Sequence, residues 1–380
     1  MTTGDTMLSS PGQAAPAPDS AQEVHLARIE SREARSHRIS TSILIAIMAV
    51  LMLALVPRTS GTAQFSFLDS LSGKDLGTAK LPGLPTVLVS GILCALAAVA
   101  FAFKRSHGWI GTIAGVVAGV TVVVGLLTWT AAGASLPFQV SSQLEGTISL
   151  ATPLILGALC GVMCERSGVV NVAIEGQMLT AAFAAALVGS MTQSIAAALV
   201  AAVLAGVLMG ALLALFTIKY LVDEVVMGVV VNLFASGLTG FLFNQLLVTD
   251  AEKYNAAPIM EPIAIPGLSR IPFLGPILFN QTVLVYIGFL CIALVWFLLW
   301  RTRWGLRIRS AGEHPEAADT VGISVTAVRW SAVLVGGVFA GLGGAYFTIG
   351  TVGAFSKNIT VGNGFIALAA LIMGLSLIHI

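Results

Sequence analysis

Long apolar runs alternate with short polar interruptions along most of this chain. Runs near 41–56, 84–103, 108–130, 144–163, 172–190, 195–218, 225–247, 282–300, 328–349 and from 364 onward each approach the ~20 residues a helix needs to cross a bilayer. The pattern predicts an all-α polytopic membrane bundle of about ten transmembrane helices, using roughly 200 positions. The ninth run is rich in small residues. Gly336, Gly337, Ala340, Gly341, Gly343 and Gly344 repeat the small-xxx-small spacing that lets helix backbones approach closely.

The interruptions carry as much information as the runs. Between the fourth and fifth lie Glu165, Arg166, Gly168, Asn171, Glu175 and Gly176. Such a break is costly in a membrane unless it sits at a surface or lines a polar cavity. A path for a polar molecule is sought here first, with Asn171, Glu175 and Gln177 as candidate lining groups. Amides and a carboxylate hydrogen-bond neutral polar solutes without demanding a charged one. The competing reading is that Asn171 and Glu175 only cap and tie neighbouring helix ends.

Two connections have structure of their own. The segment 249–281 contains Pro258, Pro262, Pro266, Pro272 and Pro276, which exclude a continuous helix. Its apolar residues Ile263, Ile265, Leu268, Ile271 and Phe273 suit a lid folded over one mouth of the bundle, or a seat for a partner protein. The segment 301–327 holds a helix of about two turns. Pro315 suits its first position, Glu316 its positive N-terminal end, and Gly322 its stop. Ala317, Ala318 and Val321 would give it a small apolar face. So short a helix is unstable alone, so it packs on its own membrane domain or on a cytoplasmic partner.

Positive charge orients the bundle. With the N-terminus cytoplasmic, the inner segments carry Arg28–Arg38, Lys104, Arg105, Arg166, Lys219, Arg301, Arg303, Arg307 and Arg309. The outer segments 57–83, 131–143, 191–194, 248–281 and 350–363 carry a thinner set, Arg58, Lys74, Lys80, Lys253, Arg270 and Lys357. Ten spans with both ends inside satisfy the positive-inside rule. Residues 1–40 read as a disordered, basic cytoplasmic tail. Within it, Glu23–Arg38 forms a short surface helix whose arginines either touch anionic lipid or act as a topology signal. No secretory signal peptide is evident, because the first apolar run begins only near Ile43.

Composition narrows the function. The chain is 57% hydrophobic and 10% charged, against about 25% charged for soluble domains. A net charge of +1 gives no reason to expect nucleic acid as a partner. Cys94, Cys160, Cys164 and Cys291 all sit in apolar runs. Cys160 and Cys164, one helical turn apart, read as packing residues rather than a metal or redox pair, and the five histidines form no ligand cluster. No phosphate-cradling Gly-x-x-x-x-Gly-Lys-Ser/Thr loop, nucleophile elbow or His-Glu-x-x-His motif occurs, so no catalytic residue, metal or bound cofactor is assigned. Glu145 and Glu175 are the main carboxylates near apolar segments. An ion-coupled secondary transporter normally keeps more ionisable groups at depth; their shortage argues for an external energy source.

Three motifs in order then resemble one family. Glu165-Arg-Ser-Gly-Val-Val-Asn-Val-Ala-Ile-Glu-Gly-Gln-Met178 resembles the signature of ABC-importer permeases of the branched-chain amino acid/ribose type, most like their nucleoside and simple-sugar branch. Gly312-Glu-His-Pro-Glu-Ala-Ala-Asp-Thr-Val-Gly-Ile323 resembles their coupling segment. Gly362-Asn-Gly-Phe-Ile-Ala-Leu-Ala-Ala-Leu-Ile-Met-Gly374 resembles a late helix start, although Asn363 stands where a basic residue is expected. The likeness runs from about 145 to 374 and makes 41–374 a transmembrane permease domain.

The resemblance implies a non-enzymatic subunit of an ATP-driven importer in a prokaryotic plasma membrane. A cytoplasmic ABC ATPase uses the ATP, a second and different permease subunit completes the path, and an extracytoplasmic substrate-binding protein or lipoprotein delivers a nucleoside or simple sugar. ATPase coupling falls on Glu313, Pro315, Glu316, Ala317, Ala318, Asp319, Gly322 and Ile323. An ion-coupled secondary transporter is the alternative. The family pattern would continue past Gly374, where this chain reads Leu-Ser-Leu-Ile-His-Ile380. One coding of that tail, CTG-TCT-CTT-ATA-CAC-ATC, matches a transposon end used in sequencing adaptors. Residues 375–380 are therefore read as a non-native tail of a truncated sequence, against a natural short end.

Overall fold

The computed structural model describes residues 32–68, 75–102 and 109–379. The tail 1–31 and the charges Lys74, Lys104 and Arg105 lie outside them, and of 375–380 only the backbone course to His379 is described. Nine helices among the described residues are long and apolar enough to cross a membrane, within a few residues of the expected runs, and a tenth, shorter apolar helix follows. The elements in order are α1 (Arg32–Leu55), β1 (Thr62–Leu68), β2 (Asp75–Pro82), α2 (Gly83–Ala102), α3 (Trp109–Ala131), β3 (Phe138–Gln139), α4 (Val140–Arg166), α5 (Ile174–Thr192), α6 (Ile195–Ala214), α7 (Glu224–Leu242), α8 (Ala251–Tyr254), β4 (Ile263–Ala264), α9 (Leu274–Phe279), β5 (Asn280–Gln281), α10 (Val283–Arg301), α11 (Arg303–Glu313), α12 (Pro315–Thr320), α13 (Val325–Phe347) and α14 (Asn363–His379). The short strands are additions to the expected all-α fold. α6, α7 and α13 each run on into a π-helical turn, Leu215–Lys219, Phe243–Leu247 and Thr348–Val352.

The chain forms two compact units, 1–64 with 80–136, and 65–79 with 137–380. In the first, α2 packs against α1 and α3 around buried Met52, Val87, Cys94 and Ala118. Arg38 donates to the carbonyls of Phe101 and Ala102, the last residues of α2, which have no helical partner of their own. From Arg32 the chain is already part of α1, so the separate surface helix expected over Glu23–Arg38 is corrected over 32–38. An arginine there is used to close a neighbouring helix.

The second unit is built around α5 and α13. About 72% of each span is enclosed, against 44% or less for every other span. α13 packs along α4, α5 and α6 together, and its glycines make this possible. A Cβ on Gly336 would lie 2.9 Å from Cys164 Sγ of α4, and one on Gly341 2.7 Å from Ala202 O of α6. One on Gly344 would strike Met178 O of α5. The expected close packing is thus realised against three helices at once.

The proline-rich connection 249–281 folds without a continuous helix, as expected. β4 and β5 pair antiparallel through Ile263–Gln281 and Ala264–Asn280. Ala257 N and Met260 N donate to Gly353 O and Ile349 O, each at 2.7 Å, which stitches the connection to the end of α13.

One expectation is overturned. Residues 350–363 read as an outer loop, with a full span following from 364. Instead the chain turns back at Gly353 and runs into the bundle beside α5 and α7. Phe355 packs edge-on against Phe183 at 5.3 Å, Asn358 meets Ser236, and Thr360 reaches Glu175 in the first turn of α5. α14 then starts inside the bundle and packs on the last turns of α4, with Ala367 against Gly157 and Leu371 against Gly161. A helix can begin at that depth because a carboxylate is there to receive its free N–H groups.

Candidate functional site

α4 ends at Arg166 in a tight turn. Gly168 N and Val169 N donate to Glu165 O and Cys164 O at 2.9 and 3.1 Å. Gly168 has φ +81°, which only glycine adopts without strain, and its Cα side faces Gly312. Residues 167–173 then climb without helical structure. Ile174 packs beside Gly157 and Gly161 of α4, so α5 starts about 7–14 Å back along α4 from its end.

Non-helical backbone at that depth needs partners for each polar group. α7 supplies most of them. Val170 N donates to the Glu224 carboxylate. Asn232 donates to Val172 O at 2.9 Å and accepts from Gly176 N at 2.7 Å, closing both sides of the break with one amide. Asn171 Oδ1 accepts from Ala173 N at 3.0 Å. Sequence reasoning missed Glu224 and Asn232. The available signal was Asn232 itself, the one amide within the apolar helix Glu224–Leu242.

Asn171 and Gln177 meet in a buried polar knot. Asn171 is 2% exposed and Gln177 fully buried. Asn171 Nδ2 approaches Gln177 Oε1 and Cys160 Sγ, each at 3.3 Å, and Cys164 Sγ at 3.6 Å. The two cysteines therefore take part in polar bonding as well as packing. Among the described residues no group of three or more His, Cys, Asp or Glu is placed to hold a metal ion.

Glu175 points the other way, to the start of α14. Its carboxylate accepts from Gly362 N at 3.0 Å, Gly364 N at 2.7 Å and the Thr360 hydroxyl. A Cβ on Gly364 would lie 2.5 Å from Glu175 Cα, so the two helix starts touch backbone to backbone. The positive ends of both helices face this one carboxylate. Glu175→Ala leaves the N–H groups of buried Gly364 and half-buried Gly362 without an acceptor and is expected to cost about 2–4 kcal/mol, read as a large fall in the melting temperature of the detergent-purified protein. Glu175→Gln keeps the shape but turns an NH₂ toward a donor, and should fall between. A melting temperature unchanged in Glu175→Ala would show that the carboxylate does not hold α14.

The expected coupling segment forms as one helix of a pair. α11, not foreseen within 301–327, lies first, with Gly305, Ile308 and Ala311 buried and Thr302 capping its start through Gly305 N at 3.0 Å. α12 follows with Pro315 in its first turn. Gly322 has φ +82°, and Ile323 N returns to Ala318 O at 3.0 Å, a glycine-closed helix end. The apolar face expected of Ala317, Ala318 and Val321 is split: Ala318 is buried, whereas Ala317 is exposed and Val321 is 73% exposed. Glu313, Glu316 and Asp319 are also exposed, Pro315 and Ile323 half-buried.

This pair is tied directly to the break before α5. A Cβ on Gly312 would strike Arg166 O, and Arg329 in α13 donates from Nε to Ser167 O at 3.2 Å. One end of the second unit thus brings together the α4–α5 turn, the α11–α12 pair and the start of α13. Arg166, Arg303, Arg307 and Arg309 lie on these elements and Arg301 ends the adjoining α10, with Arg309 stacked over Trp300 at 4.4 Å.

Residues 143–378 match the family described as branched-chain amino acid transport system / permease component. The guanosine ABC transporter permease protein NupQ of Bacillus subtilis is 42% identical over 238 residues, 60% of this chain and 73% of that protein. The nucleoside ABC transporter permease protein NupC of Lactococcus lactis is 42% identical over 235 residues, 59% and 72%. A putative glucose ABC transporter permease protein of Haloferax volcanii, TsgC13, is 34% identical over 230 residues, 60% and 69%. No solved structure matches.

Proposed function

The chain belongs to the branched-chain amino acid transport system / permease component family, and from that premise we propose that it is the membrane permease of an ATP-driven importer for nucleosides or simple sugars. The names of its relatives support both the transport role and the cargo class. ATP is used by a cytoplasmic ABC ATPase, and an extracytoplasmic binding protein or lipoprotein delivers the solute. A second, different permease completes the path. The membrane is the plasma membrane of a prokaryote, with the N-terminus and the arginine-rich end cytoplasmic.

The observation that carries the coupling role is the packing of Gly312 against Arg166. It leaves α12 exposed to a partner while fixing its root to the broken backbone before α5. Glu313, Glu316, Ala317, Asp319 and Gly322 form the exposed coupling surface. Pro315, Ala318 and Ile323 seat it. Asn171 and Glu175 act on the path from behind, by holding α5 and α14 in place, since their polar groups are bonded within the bundle; Gln177 accepts from Asn171 through Oε1, while its buried Nε2 has no partner.

The test is uptake of labelled nucleosides and sugars by cells expressing the chain with its neighbouring transporter genes. Uptake that survives ionophores and stops on ATP depletion is expected. Uptake that collapses with the ion gradient and persists without ATP would make the chain a secondary transporter.

A further inference from the structure

The segment that turns back after α13 leaves polar groups exposed halfway along the bundle. Ser236 lies 12 residues from the first residue of the span Glu224–Leu247 and 11 from the last, so it sits about 17 Å from either end. Its hydroxyl donates to Asn358 Oδ1 at 3.3 Å. Ser356, Lys357 and Asn358 are exposed, and Val361 is 79% exposed. The backbone there makes turns rather than helix. Asn358 and Val361 have φ +55° and +45°, a strained conformation, above all for a β-branched residue.

Lipid does not tolerate irregular exposed backbone at that depth; such backbone is found only against protein or water. The charge of Lys357 chooses between them. Its ammonium lies 5.7 Å from the centre of the Phe243 ring, and neither the rest of α7 beyond Glu224 nor residues 353–374 contain a carboxylate; Glu175, which packs on this segment, already accepts from Thr360, Gly362 N and Gly364 N. Glu224 is at the far end and already accepts from Val170. A second copy of this surface would bring another lysine rather than a counter-charge, and a carboxylate from the different partner permease would bury Ser236 and Asn358 and leave cysteines at both positions slow to react. Water satisfies the ammonium, the hydroxyl and the amide together.

We propose that Ser236, Lys357, Asn358 and Val361 form a wet wall of the translocation passage, offering hydroxyl, amide and ammonium groups to an uncharged hydrogen-bonding solute. The solute rests on the importer reading above; the wetness of the wall does not. Ser236→Cys and Asn358→Cys test it in membranes holding the assembled transporter. A charged, membrane-impermeant thiol reagent is applied to both faces. The four native cysteines are buried, and Leu208→Cys, 69% exposed on apolar α6, is the lipid-facing control. Both test positions are expected to react at least tenfold faster than the control. Rates equal to the control, with reaction only to a lipid-soluble maleimide, would overturn the wall. Fast labelling that nucleosides slow supports both the wall and the cargo. Fast labelling that no nucleoside or sugar slows supports the wall and counts against the cargo.

Discussion

Glu316→Arg is expected to reduce ATP-driven uptake at least tenfold while the amount of folded permease in the membrane stays unchanged. The two halves have separate physical causes. Glu316 is exposed in the first turn of α12, and its side chain is absent from the packing that holds that helix. Replacing it therefore costs the fold little; an arginine at a helix N-terminus opposes the dipole by about 0.3–1 kcal/mol. At a contact with an ATPase the same change reverses a charge on a surface that also carries Glu313 and Asp319. A mismatch of only about 1.4 kcal/mol is a tenfold loss of affinity. Val321→Glu, at the 73% exposed apolar position, should act in the same direction by desolvating a carboxylate. Uptake within twofold of the parent in both variants, at equal expression, would mean that α12 does not meet the ATPase.

Gly341→Leu is expected to remove the folded protein from the membrane fraction. A Cβ at 341 would lie 2.7 Å from both Ala202 O and Val203 Cα. Both are backbone atoms that cannot swing aside, so α6 and α13 must separate. Over-packing a well-filled core costs about 1–3 kcal/mol when side chains can adjust, and more is expected where they cannot. That is a large share of a total of about 5–15 kcal/mol. Gly119→Leu in α3 is the control. It meets open space, and should insert and melt as the parent does. Equal yields of the two variants, by fluorescence-detected size exclusion, would show that α6 and α13 are not in backbone contact.

Hydropathy made the spans legible because a bilayer imposes one strong rule, about 20 apolar residues per crossing. The short α12 was legible for a different reason, since Pro315 and Gly322 are each nearly confined to one backbone role. The return of 353–362 into the bundle was not. Its composition, with Ser356, Lys357 and Asn358 beside Val361 and Gly362, is that of a surface loop. What permits it at depth is a carboxylate 185 positions away from Thr360 in the chain. Local pattern contains no such information. The same limit applies to Asn171, Glu175 and Gln177. Sequence marked them as polar groups at an expensive break, but their orientation depends on which helices lie beside them. Asn232 was readable as an oddity in α7, and its task was not, because its partners Val172 and Gly176 contribute only backbone atoms. α11 was passed over because its three arginines, Arg303, Arg307 and Arg309, hide a buried row of Gly305, Ile308 and Ala311.

Glycine packing on three sides of α13 has a mechanical corollary. Side-chain contacts can yield by changing rotamer, whereas contacts between backbones offer no such slack. α13 cannot slide along α4, α5 or α6 without collision. Any push delivered at α12, four residues of chain from the start of α13, would reach a helix that Arg329 also ties to Ser167 in the α4–α5 turn, with little slack to absorb it. Rigid-body rotation of the quartet is then the motion left open, with any hinge at its edges, where α7 and the returning segment meet through side chains alone: the Ser236–Asn358 bond and the packing of Phe243 on Phe355 and Lys357.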